Sequence, residues 1–243
     1  MGGMGREGET IMYNYDYVTK EQWKPIRDDL EKLIHLVQDE VRSDFTFSYR
    51  FIGSAARNMI TCDKTKNIGF DFDVNFYVND TGELSAQKIR QKLMRAFNKY
   101  GKEYKYESAE DRKPVFTIKV VDHRNSKILH SCDVAIVKDY INKYGEERQK
   151  YIFFDKKQNK YKWQKQLRKF YELREKEEWI KDNKLWHCVR SIYLDKKNNN
   201  LDKNKKSSSL YAETINEIYN TMNQEIKIDN KVVNNGYYNV NIW

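Results

Sequence analysis

Two aspartates stand two residues apart in Phe70-Asp71-Phe72-Asp73-Val74, and a third lies in Cys132-Asp133-Val134-Ala135-Ile136-Val137. On an extended strand an Asp-x-Asp pair points both carboxylates to one side, with Cα atoms ~7 Å apart. Such a pair can reach divalent cations from one face. Phosphoryl transfer is well served by two hard cations about 3.5–4 Å apart that clamp the attacking and leaving oxygens. Hard cations take carboxylate oxygens together with substrate phosphates. Asp133 is the candidate third carboxylate, because a lone acid in an apolar strand is costly to bury without a partner or a metal. Taken alone, Asp71 and Asp73 also read as a solvated strand face, and Asp133 as a strand-end residue bonded to backbone. The upstream Gly53-Ser54 changes the balance. It ends a strand and precedes a short helical stretch, where backbone N–H groups can hold a phosphate. By itself that dipeptide reads as a turn.

The elements that must position these residues can be read from periodicity. Thr19 to Ser43 predicts a helix, with Thr19 and Gln22 at capping-box spacing and Val18 and Trp23 placed for a hydrophobic staple. Trp23, Ile26, Leu30, Leu33, Ile34, Val37 and Val41 recur on one face. Phe45 to Ile52 alternates like a strand, Ala55 to Ile60 reads as a short helix, and Thr61 to Gly69 as a loop. Phe70 to Val78 is the clearest strand: Phe70, Phe72, Val74 and Phe76 on one face, Asp71, Asp73, Asn75 and Tyr77 on the other. Ser85 to Tyr100 predicts a second amphipathic helix, with Gly101 as its stop. Strands over 114–121 and 128–137 follow, joined by a turn at 123–126. This order predicts an α+β fold around one mixed sheet.

Past about residue 156 the chain changes character. Lys162 to Ile180 and Lys184 to Asp195 read as basic helices, with Trp163, Leu167, Phe170, Trp186, Val189 and Ile192 as anchors. Lys196 to Ser208 is a low-complexity Lys/Asn/Ser segment and reads as a mobile loop. Ser209 is the expected cap of a last helix running through Met222. The tail from Ile226 is read as a small hairpin around Asn235-Gly236. The expected division is a flexible leader over 1–18, a catalytic core over 19–155, and a helical lobe with a short tail over 156–243.

Composition narrows the function classes. The 243 residues carry a formal net charge of +9, which suits anionic partners such as nucleotides, RNA or DNA. The three cysteines match no zinc spacing, and the four histidines form no metal-binding pair. A reducing cytoplasm fits best. No apolar run approaches the ~20 residues of a membrane span.

The order Gly53-Ser54, then Asp71-Phe72-Asp73, then Asp133 resembles the polymerase-β-type nucleotidyltransferase superfamily over about residues 20–140. The two-lobed layout is most similar to the cyclic GMP–AMP synthase and oligoadenylate-synthetase-like (CD-NTase-like) group. The resemblance implies that Asp71 and Asp73 bind two Mg2+ or Mn2+ ions. It implies that Asp133 helps bind one of them and activates the acceptor hydroxyl, and that Gly53 and Ser54 contact the triphosphate of an NTP substrate. The gap from Ser54 to Asp71 is longer and more polar than in compact members, which bears on Ser54 before it bears on the aspartates. The stretch from Ser207 to Glu213 is similar to a helix start at which a tyrosine stacks on the nucleobase. Tyr211 is then the stacking candidate, Ser209 a phosphate contact, and Lys184 and Arg190 a source of positive charge near the triphosphate. Tyr211 also reads as an ordinary core residue.

The resemblance implies transfer of NMP from NTP to a hydroxyl with release of pyrophosphate. Another nucleotide is the first choice of acceptor, an RNA 3′ end the second, and a small molecule or protein side chain the third. The alternative from a different class is a non-catalytic basic module that binds nucleic acid.

Overall fold

The computed structural model describes residues 13–63, 69–79, 81–202 and 204–236, with side chains described through 224. The chain divides into two compact units, one over Asn14–Gln166 and one that includes the described residues from Leu167 onward.

The first unit is built on a seven-stranded mixed sheet. Strand β2 (Thr46–Ile52) pairs antiparallel with β4 (Phe70–Asn79), and β4 runs parallel to β7 (Lys127–Ile141). β7 pairs antiparallel with β6 (Val115–Asp122), which pairs with the short β5 (Glu110–Asp111). The last part of β7 pairs with β8 (Glu147–Asp155), and β8 with β9 (Lys160–Lys165). Helices α1 (Lys20–Val41) and α3 (Ala86–Tyr100) pack their apolar faces with this sheet. Phe72, Val74 and Phe76 of β4, Cys132, Val134 and Ile136 of β7, and Phe116 and Ile118 of β6 are all buried in that core.

The predicted helix boundaries hold for physical reasons. Thr19 precedes α1, and its backbone N–H donates to Gln22 Oε1 at 3.0 Å. Val18 and Trp23 are both buried. Ser85 caps α3, its hydroxyl accepting from the Lys88 N–H at 3.3 Å. Gly101 ends α3 without a left-handed turn (φ −63°); a 3₁₀ turn follows, and the left-handed residue is Lys105 (φ 65°). Arg90 of α3 is 1% exposed, and its guanidinium pairs with Asp111 at 2.6 Å. It donates to the carbonyls of Arg112 and Val115, so it ties the helix to the β5–β6 edge.

Several expectations are corrected. Tyr15–Tyr17, assigned to the leader, is a strand (β1) that pairs with Thr61–Asp63 (β3), assigned to a loop. The helical turn after β2 is Gly53–Ala56 (α2), earlier and shorter than expected. Lys162 and Trp163 are strand, not helix. β8 and β9 form a hairpin, Ile152 lies opposite Trp163, and Trp163 packs against the sheet's core. The hairpin carries the first unit through Gln166, beyond the expected limit at 155.

The second unit holds α4 (Arg168–Asp182), α5 (Trp186–Asn198) and α6 (Ser207–Gly236). Val189, Tyr193, Leu210, Ile215 and Ile218 are buried, as is Ile180. Helix α6 starts at Ser207, so Ser209 lies inside its first turn and is not its cap. The helix continues through Asn235 and Gly236, where a hairpin was expected; residues 237–243 of that expected tail lie outside the described residues. Among the described residues no helix is long and apolar enough to cross a membrane.

Candidate active site

Strand register gathers the three aspartates. Asp73 of β4 lies directly opposite Asp133 on the parallel neighbour β7, and Asp71 lies opposite Ser131. Side chains alternate along a strand, so Asp71, Asp73, Ser131 and Asp133 emerge on one sheet face. Phe72, Val74, Cys132 and Val134 turn the other way into the core. On the far side of β7, Thr117 of β6 lies opposite Asp133 and joins the same face. The sheet thus presents three carboxylates within two rungs of two adjacent strands.

Two of the carboxylates are held by hydroxyls of the sheet. Thr117 donates to Asp133 Oδ1 at 2.5 Å, and Ser131 donates to Asp71 Oδ1. Thr117 and Ser131 are buried, so both hydroxyls are shielded from water. Asp73 is held by shape. Gly53 adopts φ +62°, and a Cβ there would collide with Asp73 Oδ2. Ile52, the residue before Gly53, lies opposite Asp73 across the β2–β4 pair. The turn after β2 therefore folds over the Asp73 carboxylate, and any side chain at this left-handed position would be strained and would displace that carboxylate.

The electrostatics follow from this crowding. Burial, then the charges of Asp133 and Asp71, push Asp73 up to about 6, with Arg57 opposing. Burial also raises Asp133, and the Thr117 hydroxyl opposes that shift. The buried Cys132 thiol, on the reverse face, is pushed up by burial first and then by the three aspartates. The charges of Asp133 and Asp71 oppose the ionisation of Asp73, and a cation would balance the charge of such a site. Among the described residues no three His, Cys, Asp or Glu side chains are already drawn together around a metal position. The donor set still fits hard divalent cations: oxygen donors on one face, with mutual repulsion to be relieved.

The structure places the remaining predicted residues as follows. Gly53 and Ser54 form the start of α2, beside Asp73 through Gly53. Lys184, Arg190, Ser209 and Tyr211 belong to the helical unit. Lys184 is exposed and left-handed (φ 59°) just ahead of α5, and Arg190 is half-buried within α5. Ser209 is exposed. Tyr211 is 7% exposed, with its ring edge-on to Tyr193 at 6.0 Å between centroids. That burial sets the ring in the helical core, so a base stacking on it would need the ring uncovered. Sequence reasoning missed Thr117 and Ser131. Their signal was a hydroxyl residue interrupting an apolar strand, in Val115-Phe116-Thr117-Ile118 and in Ser131-Cys132-Asp133. Arg57 was missed as well.

The sheet carries acids on neighbouring parallel strands, beside a glycine turn. Solved structures share this fold. The chain is similar to the STING-associated CdnE c-di-GMP synthase of Capnocytophaga granulosa, with TM-score 0.51 and 16% identity over 84% of this chain and 63% of that one. It is similar to the 3′-deoxy ATP bound form of DncV from Vibrio cholerae, with TM-score 0.51 and 17% identity over 84% of this chain and 53% of that one. It is also similar to the Vibrio cholerae DncV cyclic AMP-GMP synthase in complex with the linear intermediate 5′ pppA(3′,5′)pG, with TM-score 0.50, 15% identity, and 84% and 54% coverage. The chain thus spans 53% to 63% of the length of these three structures. No family model and no curated protein matches the sequence.

Proposed function

We propose that this chain is a metal-dependent nucleotidyltransferase that moves a nucleoside monophosphate from an NTP to a hydroxyl and releases pyrophosphate. The observation that carries this reading is the register of Asp73 with Asp133, with Asp71 one rung away on the same face. When bound there, two Mg2+ or Mn2+ ions would supply Lewis-acid stabilisation of the phosphoryl charge and lower the pKa of the attacking hydroxyl. Asp71 and Asp73 would hold both ions. Asp133 would share one and accept the proton of the acceptor hydroxyl. Thr117 and Ser131 fix the carboxylates of Asp133 and Asp71, so that little reorganisation is left for the reaction step. Gly53 lets the backbone approach Asp73, and Ser54 beside it is the candidate contact to the triphosphate.

Another nucleotide is the favoured acceptor. The support is the likeness of fold to a c-di-GMP synthase and to a cyclic AMP-GMP synthase holding a linear dinucleotide intermediate. The test is incubation of the full chain with each labelled NTP, singly and in pairs, plus Mg2+ or Mn2+. The expected products are linear or cyclic oligonucleotides and pyrophosphate, absent with Asp73→Asn. Labelled NMP found only on added RNA or protein would keep the chemistry and replace the acceptor. Divalent cation failing to bind the wild-type chain would end the catalytic reading.

A further inference from the structure

One rung of the sheet carries lysine on three successive strands. Lys138 of β7 lies opposite Lys150 of β8, and Lys150 lies opposite Lys165 of β9. Neighbouring strands are ~4.8 Å apart, so the three side chains leave one face in a row roughly 10 Å long. Like charges directly opposite one another destabilise a strand pair. Elsewhere the chain answers such charges with acids: Lys92 pairs with Asp44 at 2.6 Å, Lys99 with Glu40 at 2.7 Å, and Lys162 with Asp155 at 2.6 Å. Among the described residues no carboxylate pairs with Lys138, Lys150 or Lys165. Among the described residues, Lys138 donates to the Thr81 hydroxyl, at 3.4 Å.

Aromatic rings stand among these cations. The Lys150 ammonium lies 5.5 Å from the Trp163 ring and 6.0 Å from Tyr140, and that of Lys165 lies 5.7 Å from Tyr140. Tyr140 and Trp163 are each two residues from a lysine of the row, so they share its face. Both rings are half-buried. Lys138 is five residues beyond Asp133 on β7, an odd step, which puts the row on the opposite sheet face. The separation along the strand is roughly 16 Å. The row therefore lies apart from the carboxylate site and does not rest on the reading given to it.

We propose that this lysine row is a docking surface for a single-stranded nucleic acid. A linear row of cations matches a chain of phosphates better than one phosphate group. The interleaved Tyr140, with the part of Trp163 that the core leaves uncovered, offers ring surface on which unstacked bases can stack. The chain's formal charge of +9 favours the encounter. RNA and DNA single strands share this chemistry, and binding of either one meets the proposal.

The test is fluorescence anisotropy of the full chain with labelled RNA and DNA single strands of about 12 nucleotides, a length within the range single-strand binders occupy. It compares wild type, Lys150→Gln/Lys165→Gln, and a control of equal charge loss, Lys88→Gln/Lys102→Gln. In the row variant affinity is expected to fall at least about tenfold. The slope of log K against log salt should shrink by about 1.4, or about 0.7 for each phosphate no longer neutralised. Its melting temperature should hold or rise, because like-charge repulsion is removed. Unchanged affinity and slope would overturn the proposal. So would an equal loss in the control variant, or a duplex of the same sequence bound as tightly as the single strand.

Discussion

Asp73 sits where the charges of the site collide. Its carboxyl titrates at about 6 in the folded protein, against 3.8 for an ordinary aspartate. A folded value raised above the unfolded one adds stability at low pH and loses it as pH rises to the folded value. Without metal, Asp73 ionises in the unfolded chain between about pH 4 and pH 6 while the folded carboxyl keeps its proton, which should cost the fold up to ~3 kcal/mol. Melting curves in EDTA across pH 4 to 7 check this. Wild type should lose stability relative to Asp73→Asn as pH rises, and parallel curves for the two proteins would refute it. Divalent cation should restore more stability at pH 7 than at pH 4, because it neutralises the Asp73 carboxylate that is ionised only at the higher pH. Thr117 gives a second prediction. Thr117→Val removes the hydroxyl that holds Asp133 and conserves the shape of the side chain. Mn2+ affinity and nucleotide turnover should each fall about tenfold, and Thr117→Ser should recover most of both. Unaltered Mn2+ binding in Thr117→Val would assign the hydroxyl to packing alone.

At the scale of elements, the turn from β2 to α2 sets the tightest constraint. Gly53→Ala would strain a left-handed backbone by roughly 1–2 kcal/mol and drive a methyl into Asp73. A modest fall in melting temperature with a loss of turnover of a hundredfold or more is expected, while a variant of near-normal turnover would remove Gly53 from the site. The dipeptide was visible in the sequence; its contact with Asp73 was not, because Gly-Ser after a strand looks the same in any turn. The strand bearing Asp71 and Asp73 was legible, since its alternation separates buried Phe72, Val74 and Phe76 from the polar face. The capped start of α1 was legible because the cap is local. The β8–β9 hairpin was not. Trp163, Leu167 and Phe170 fall at helical spacing, yet Trp163 gains more by packing behind Ile152 and the sheet, a partner distant in sequence. Asn235-Gly236 failed in the opposite direction. A strong turn dipeptide forms the last two residues of a 30-residue helix, α6.

At the scale of the molecule, the carboxylates proposed to be catalytic and the four other predicted nucleotide contacts fall in different compact units. Tyr211 is the member of that second set with the most definite surroundings. It is buried, its ring meets Tyr193 edge-on, and Leu210 beside it is buried too. Truncating a buried aromatic side chain to alanine commonly costs about 3–5 kcal/mol, through the transfer energy forgone and the cavity left behind. Losing a ring that stacks on a base costs about 1–3 kcal/mol of affinity, roughly ten- to a hundredfold. Tyr211→Ala can therefore be read on two axes at once. From its burial, a clearly lower melting temperature is expected, with NTP affinity per folded molecule unchanged below the transition. A normal melting temperature with weakened NTP binding would mean that the ring is uncovered to meet a base. Tyr211→Phe sharpens the comparison, because it keeps the ring in either role and removes only the hydroxyl. Both melting temperature and NTP affinity should stay near wild type in that variant, which leaves the alanine result to report on the ring alone.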